Sequence, residues 1–231
     1  KITYKILCLE ELDGTPLIEN VLDRVEQKGT GKDIAICALE HGVNVSTITE
    51  AVNARLISGM ERSRAKIYKS KEASKMANNL NKDDTETILP MLIDCIYCSS
   101  LISIIQGLKL IKKVSKVNSW DIEITKVLSV WEQGSIIRSK ILKDINRQLK
   151  KSSLDDILIQ EINQSRTKNF VHVVSLATHN HVPLHVFSAA LSYYQALSSA
   201  TLPANLIQLQ RDYFGAHGFV KKNSRDKLSH L

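Results

Sequence analysis

The chain has 231 residues, of which 43% are hydrophobic, 24% charged and 5% aromatic, with a formal net charge of +7. That apolar share, with only 9 Gly and 4 Pro, excludes a disordered or collagen-like chain. Four Cys in this length exclude a disulfide scaffold, and no apolar stretch escapes interruption by Cys, Ser or Gln, which argues against a membrane span. Long segments of Leu, Ile, Lys, Ala, Glu and Gln run without turn residues, so a mostly helical fold is expected.

Residues 1–7 read as helix with no cap before them, which suggests that the chain continues upstream. Gly14-Thr15-Pro16 signals a helix start, and Leu17, Val21 and Val25, spaced by four, predict one apolar helical face. Residues 27–32 interrupt that pattern and open a helix over 33–40, which Gly42 closes. Ser46 starts the next helix, and Ile48, Val52, Leu56 and Met60 carry it toward residue 69. The polar run 70–86 reads as an exposed linker. From 88 to about 114 comes the longest helix, apolar nearly all round and therefore expected at the centre of the fold. Helices over 121–132, 136–150, 154–163, 168–180, 184–198 and 204–212 complete the set.

An internal repeat is visible. Residues 2–7 (ITYKIL) resemble 137–142 (IRSKIL), and His41-Gly42-Val43-Asn44-Val45 resembles Asn180-His181-Val182-Pro183-Leu184, each ending one helix and starting another. The order of the two matches predicts a duplicated helical unit packed about the long helix.

Candidate chemistry is sparse. Cys95 and Cys98 form a CxxC inside the most apolar helix, with no second ligand pair, and read as buried structural cysteines. His172, His179, His181 and His185 lack metal-ligand spacing, so no metal is expected. Basic residues gather at 109–116, 147–151 and 221–227, either as solvated helix faces or as a surface for an anionic partner. Nucleic acid is not the expected partner, because no basic stripe carries interleaved aromatics. Lys28-Gly29-Thr30-Gly31-Lys32 supplies two cations, a hydroxyl and two glycines before a helix N-terminus; it is either a capping loop or a phosphate loop. Arg55 lies among Ala51, Ala54, Leu56 and Ile57, and either snorkels or faces an anion. Residues 202–217 form a dense segment, a short helix leading to an aromatic and glycine exit that carries Arg211 and His217.

Taken together, these features resemble the C-terminal helical half of the 6-phosphogluconate dehydrogenase family. Residues 27–32 match its phosphate loop, Glu50-Ala51-Val52 with Ala54-Arg55 its next motif, and Asp94, Tyr97, Ser99, Gln106 and Gly107 its long central helix. Trp131, Gly134 and Ile136-Ile137-Arg138-Ser139 match the second repeat, and residues 202–217 are nearly the family's tail signature. The chain departs from the family pattern at Asp33, where Trp is usual, at Glu132-Gln133, where Arg-Gly is usual, and at Cys95 and Cys98, where Ala is usual.

The resemblance implies an all-α substrate-binding and dimerisation domain over 1–217, followed by a shortened basic tail over 218–231. It implies that Lys28, Thr30 and Arg55 bind the substrate 6-phosphate, while Arg211 and His217 reach the partner's active site in an intertwined homodimer. The family is a cytoplasmic oxidoreductase of the pentose phosphate pathway and gluconate utilization. It converts 6-phosphogluconate to ribulose 5-phosphate and carbon dioxide with NADP. Its Rossmann domain and catalytic Lys and Glu would precede residue 1, so these residues alone are expected to be inactive. The rival readings are a non-catalytic helical dimerisation module of the same fold and a related β-hydroxyacid dehydrogenase acting on an unphosphorylated acid.

Overall fold

A computed structural model of the protein describes residues 2–70, 82–224 and 228–231. It is helical almost throughout, as expected, and divides into two compact units, Lys1–Leu191 and Ser192–Leu231.

The first unit opens with two short helices, α1 (Ile2–Leu7) and α2 (Leu17–Asn20), neither of which has a buried residue. The apolar spacing of Leu17, Val21 and Val25 predicted a longer helix here. Instead the chain leaves α2 at Val21 in an extended conformation and runs irregularly to Gly29, with Val21 and Val25 exposed. Tertiary bonds fix this path in place of a helical ladder: Arg64 forks onto Asp23 at 2.5 and 2.9 Å, and the Val25 N–H donates to Ser58 Oγ at 3.0 Å. Helices α3 (Thr30–Glu40) and α4 (Ser46–Ser58) follow as a packed pair. The predicted helix from 46 toward 69 breaks at Gly59 and Met60, after which α5 (Glu61–Ser70) begins; Arg64 also donates to Ser58 O across the break.

Of the expected linker, 71–81 lies outside the described residues and 82–86 belongs to the first turns of α6 (Lys82–Val117), which spans 36 residues. This helix is the axis of the unit. Cys95, Cys98, Leu101, Ile102, Ile105, Gln106 and Leu108 are fully buried along it, whereas Leu89, Ile93 and Ile96 near its start are exposed. By length and composition α6 could cross a membrane, which corrects the reading that interruptions by Cys, Ser and Gln argue against a span. Its buried middle and the helices laid against it are those of a core helix. Helix α10 (Gln164–His179) packs along it most extensively, with α4, α7 (Ile124–Gly134) and α9 (Leu154–Glu161) beside it; α8 (Lys140–Gln148) packs on α7. Phe170, Leu128, Leu142, Ile145 and Ile157 fill the interior. A separate cluster of Ala38, Val45 and Leu110, flanked by Ile34, Ile48 and Val114, seats α3 and α4 on the far end of α6.

The second repeat match holds in atomic detail. At the end of α3, the Val43 N–H donates to Ala38 O at 2.8 Å with Gly42 left-handed at φ 63°. At the end of α10, the Val182 N–H donates to Ala177 O at 2.8 Å with His181 left-handed at φ 56°. Both are Schellman ends, and each leads into a helix, α4 after the first and α11 (His185–Ser198) after the second. The first match does not correspond: 2–7 is helical, but 137–142 crosses a turn and enters α8 only after Ser139, whose side chain caps the helix.

The second unit holds the end of α11, then α12 (Ala204–Gly215) and an unexpected hairpin, β1 (Phe219–Val220) antiparallel to β2 (Leu228–Ser229). The boundary between the two compact units falls at 191/192, so α12 and the hairpin belong to one unit.

Candidate functional site

Gly29 opens α3 from a left-handed conformation, φ 101°, that an L side chain would strain. Asp33 N–H donates to Gly29 O at 2.9 Å. Among the described residues, nothing accepts from the N–H groups of Thr30, Gly31 or Lys32, so the positive end of the helix dipole stays open. Gly31 lets α4 come close, and Arg55, on the opposite wall, completes a cleft of about 460 Å³ lined by Lys28, Thr30, Ala51 and Val52 among others. Glu26 is the one carboxylate among its lining residues. Neither the Lys28 nor the Arg55 side chain has an ion-pair or hydrogen-bond partner among the described residues. Lys32 is engaged instead by Asp33, 3.6 Å away. Lys28 and Thr30 on one loop and Arg55, 25 residues beyond Thr30, therefore share one cationic cleft with open amide donors. Such a cleft suits a phosphate or carboxylate.

Arg211 and His217 share another cleft, within the second unit, of about 340 Å³ with Ile207, Gln210, Phe214 and Gly215. The His217 ring lies against Gly215, where a Cβ would come 2.9 Å from Nε2. Arg211 Nη1 donates to Gln208 Oε1 at 3.3 Å. Tyr213 and Phe214, edge to face at 5.5 Å, are both exposed on the same helix.

The profile of the family described as "6-phosphogluconate dehydrogenase, C-terminal domain" matches residues 1–231. The chain belongs to that family. It is 33% identical over 232 residues to the decarboxylating 6-phosphogluconate dehydrogenase of Treponema pallidum, covering 97% of this chain and 48% of that protein. It is 38% identical over 233 residues to the fission yeast (Schizosaccharomyces pombe) protein of the same name, covering 98% and 47%. Plasmodium falciparum 6-phosphogluconate dehydrogenase, solved in its apo form and in complexes with NADP+ and 6-phosphogluconate, superposes with a TM-score of 0.90 at 32% identity. That likeness covers 100% of this chain and 50% of the Plasmodium chain. The chain thus spans about half the length of the curated relatives it matches.

In this 6-phosphogluconate dehydrogenase domain the first unit is held by polar networks that spacing alone does not announce. Gln106, fully buried on α6, accepts through Oε1 from the Thr47 N–H at 3.1 Å and the Thr47 hydroxyl at 2.7 Å. Its amide nitrogen donates to Asn44 Oδ1 and Ser46 Oγ, so all its capacity goes to holding the start of α4 on α6. Glu161 ends α9 and accepts from Tyr97 Oη at 2.6 Å, Gln148 Nε2 at 2.7 Å and Arg166 Nη1 at 3.2 Å. The Tyr97 hydroxyl is the main cause holding the Glu161 carboxyl below its usual range, while burial and Glu161 push the Tyr97 phenol up. Arg166 also lies 4.3 Å from the Tyr97 ring centroid and 3.4 Å from Asp94 Oδ1.

Cys95 and Cys98 are buried, as the sequence indicated, and burial pushes their thiols up to about 12 and about 11. Of the histidine cluster, His185 stands 3.5 Å from Glu50 Oε2 and joins α11 to α4. Among the described residues, no cluster of three metal-ligating side chains forms.

Proposed function

We propose that this chain is the substrate-phosphate-binding and dimer-forming part of an NADP-dependent, decarboxylating 6-phosphogluconate dehydrogenase of the cytoplasm. The observation that carries this reading is the cleft shared by Lys28, Thr30 and Arg55 at the open N-terminus of α3. In it, Lys28 supplies a point charge, Arg55 a planar two-pronged donor, and Thr30 a hydroxyl beside the first-turn amides. Together these offer enough donors for the three terminal oxygens of a phosphate ester. Each charge-assisted bond contributes roughly 1.5–3 kcal/mol. Arg211 and His217 are the residues that complete the partner subunit's site, which makes dimerisation a condition of full activity. The helical part through residue 217 forms the binding and dimer domain, and 218–231 is its tail.

NADP, held mainly outside these residues, supplies the hydride acceptor; the chain's own residues bind the phosphate end and orient the sugar acid. The test is calorimetric titration of the full-length protein with 6-phosphogluconate and with gluconate. The reading requires binding of the phosphorylated acid at least tenfold tighter, about 1.4 kcal/mol. It also requires that advantage to vanish in Lys28→Met and Arg55→Met. Equal affinity for gluconate would overturn it in favour of an unphosphorylated acid.

A further inference from the structure

We propose that Asp212 is a positioning residue that sets His217 for its substrate contact by clamping the turn on which His217 sits. The proposal rests on the reading of Arg211 and His217 as substrate contacts.

Asp212 is the one buried residue of α12, its side chain 2% exposed, on a helix otherwise open to solvent. A carboxylate in that position must be satisfied by donors, and three are present. Gly218 N–H donates at 2.6 Å, Leu231 N–H at 2.7 Å, and His230 Nδ1 lies 2.9 Å away. These bonds, led by that from Leu231, hold the carboxyl below its ordinary range.

The bonds converge on the residues flanking His217. Ala216, left-handed at φ 49°, donates its N–H to Asp212 O at 2.7 Å. Gly218, left-handed at φ 73°, gives its N–H to the Asp212 carboxylate, while its C=O accepts from Gln208 Nε2 at 2.6 Å. Both neighbours of His217 are thus fixed to α12, and its ring is set against Gly215, facing the cleft that Arg211 lines. An amide in place of the carboxylate keeps the shape but offers one acceptor oxygen where three donors need two.

The test is a double-mutant cycle in the full-length dimeric enzyme, reading KM for 6-phosphogluconate, kcat and Tm. Asp212→Asn is expected to raise KM about tenfold with kcat changed less than about threefold. His217→Ala is expected to raise KM as well. Adding Asp212→Asn to His217→Ala should raise KM no further, although Tm still drops. A loss of fold acts independently of His217 and multiplies the two effects. Multiplicative KM effects, or an unchanged KM in Asp212→Asn, overturn the proposal. If Asp212→Asn does not fold, Gln208→Ala made in an Arg211→Ala background decides, since it frees the other side of Gly218 without acting through the Arg211–Gln208 bond: a KM raised above that of Arg211→Ala at constant Tm supports the clamp and an unchanged KM overturns it. Unaltered KM in His217→Ala and Arg211→Ala would instead bring down the substrate-contact reading, and the clamp with it.

Discussion

Gly31 and Val52 are in such close apposition that a Cβ on Gly31 would stand 2.8 Å from Val52 Cγ2. This contact sets how near α3 approaches α4, and so how near Lys28 and Thr30 come to Arg55. Gly31→Ala should push the walls apart and cost about 1–3 kcal/mol as an overpacked contact. The expected readout is a lowered Tm with weakened phosphate-ester binding. Val52→Ala in the same background should recover much of both.

Asp33 places a carboxylate in the first turn of α3, within 3.8 Å of where a Gly29 Cβ would sit. It is an anion at the helix end where a ligand anion would bind, partly neutralised by Lys32. Asp33→Asn should therefore tighten phosphate-ester binding about twofold to fivefold, more at low ionic strength than at high. Titration at two salt concentrations checks this, and a gain that ignores salt would count against an electrostatic origin.

How much of this was legible in the sequence depended on what local spacing encodes. Gly42 punctuates a helix through its own backbone preference, and the helix it closes is legible to within a few residues. Leu17, Val21 and Val25 misled because periodicity reports a helix only where a surface exists to bury its face; here the three-residue fork of Arg64, Asp23 and Ser58 decides instead. Lys28, Thr30 and Arg55 were identifiable as cations and hydroxyl beside small residues, and the fold brings them together. Asp212 was not: within Arg211-Asp212-Tyr213 it looks like any solvated charge, and only the returning hairpin buries it.

The buried thiols provide a chemical check. Cys8 is exposed, whereas Cys95 and Cys98 are buried and carry thiols raised to about 12 and about 11, chiefly by burial. Iodoacetamide at pH 8 should label Cys8 quickly and leave Cys95 and Cys98 unlabelled until denaturant is added, as read by peptide mass spectrometry.

The same groups shape stability at both ends of the pH scale. Folded Cys95 keeps its proton above the ordinary 9.0 while the unfolded thiol loses it, so stability present below pH 9 falls as pH rises toward 12. Glu161, depressed chiefly by the Tyr97 hydroxyl, and Asp212, depressed chiefly by the Leu231 N–H, act in the opposite sense. Their contributions are present above the ordinary 4.5 and 3.8 and are lost as pH falls below them. Thermal melts across pH should show a plateau between these limits, and Tyr97→Phe should soften its acid edge.

One carboxylate holding the N–H groups of both Gly218 and Leu231 also couples their exchange with solvent. Both amides are held by the same side chain, so an opening that releases Asp212 exposes both to water at once. Two protons 13 positions apart in the chain are then expected to leave on a common clock, set by a single opening event rather than by their separate depths.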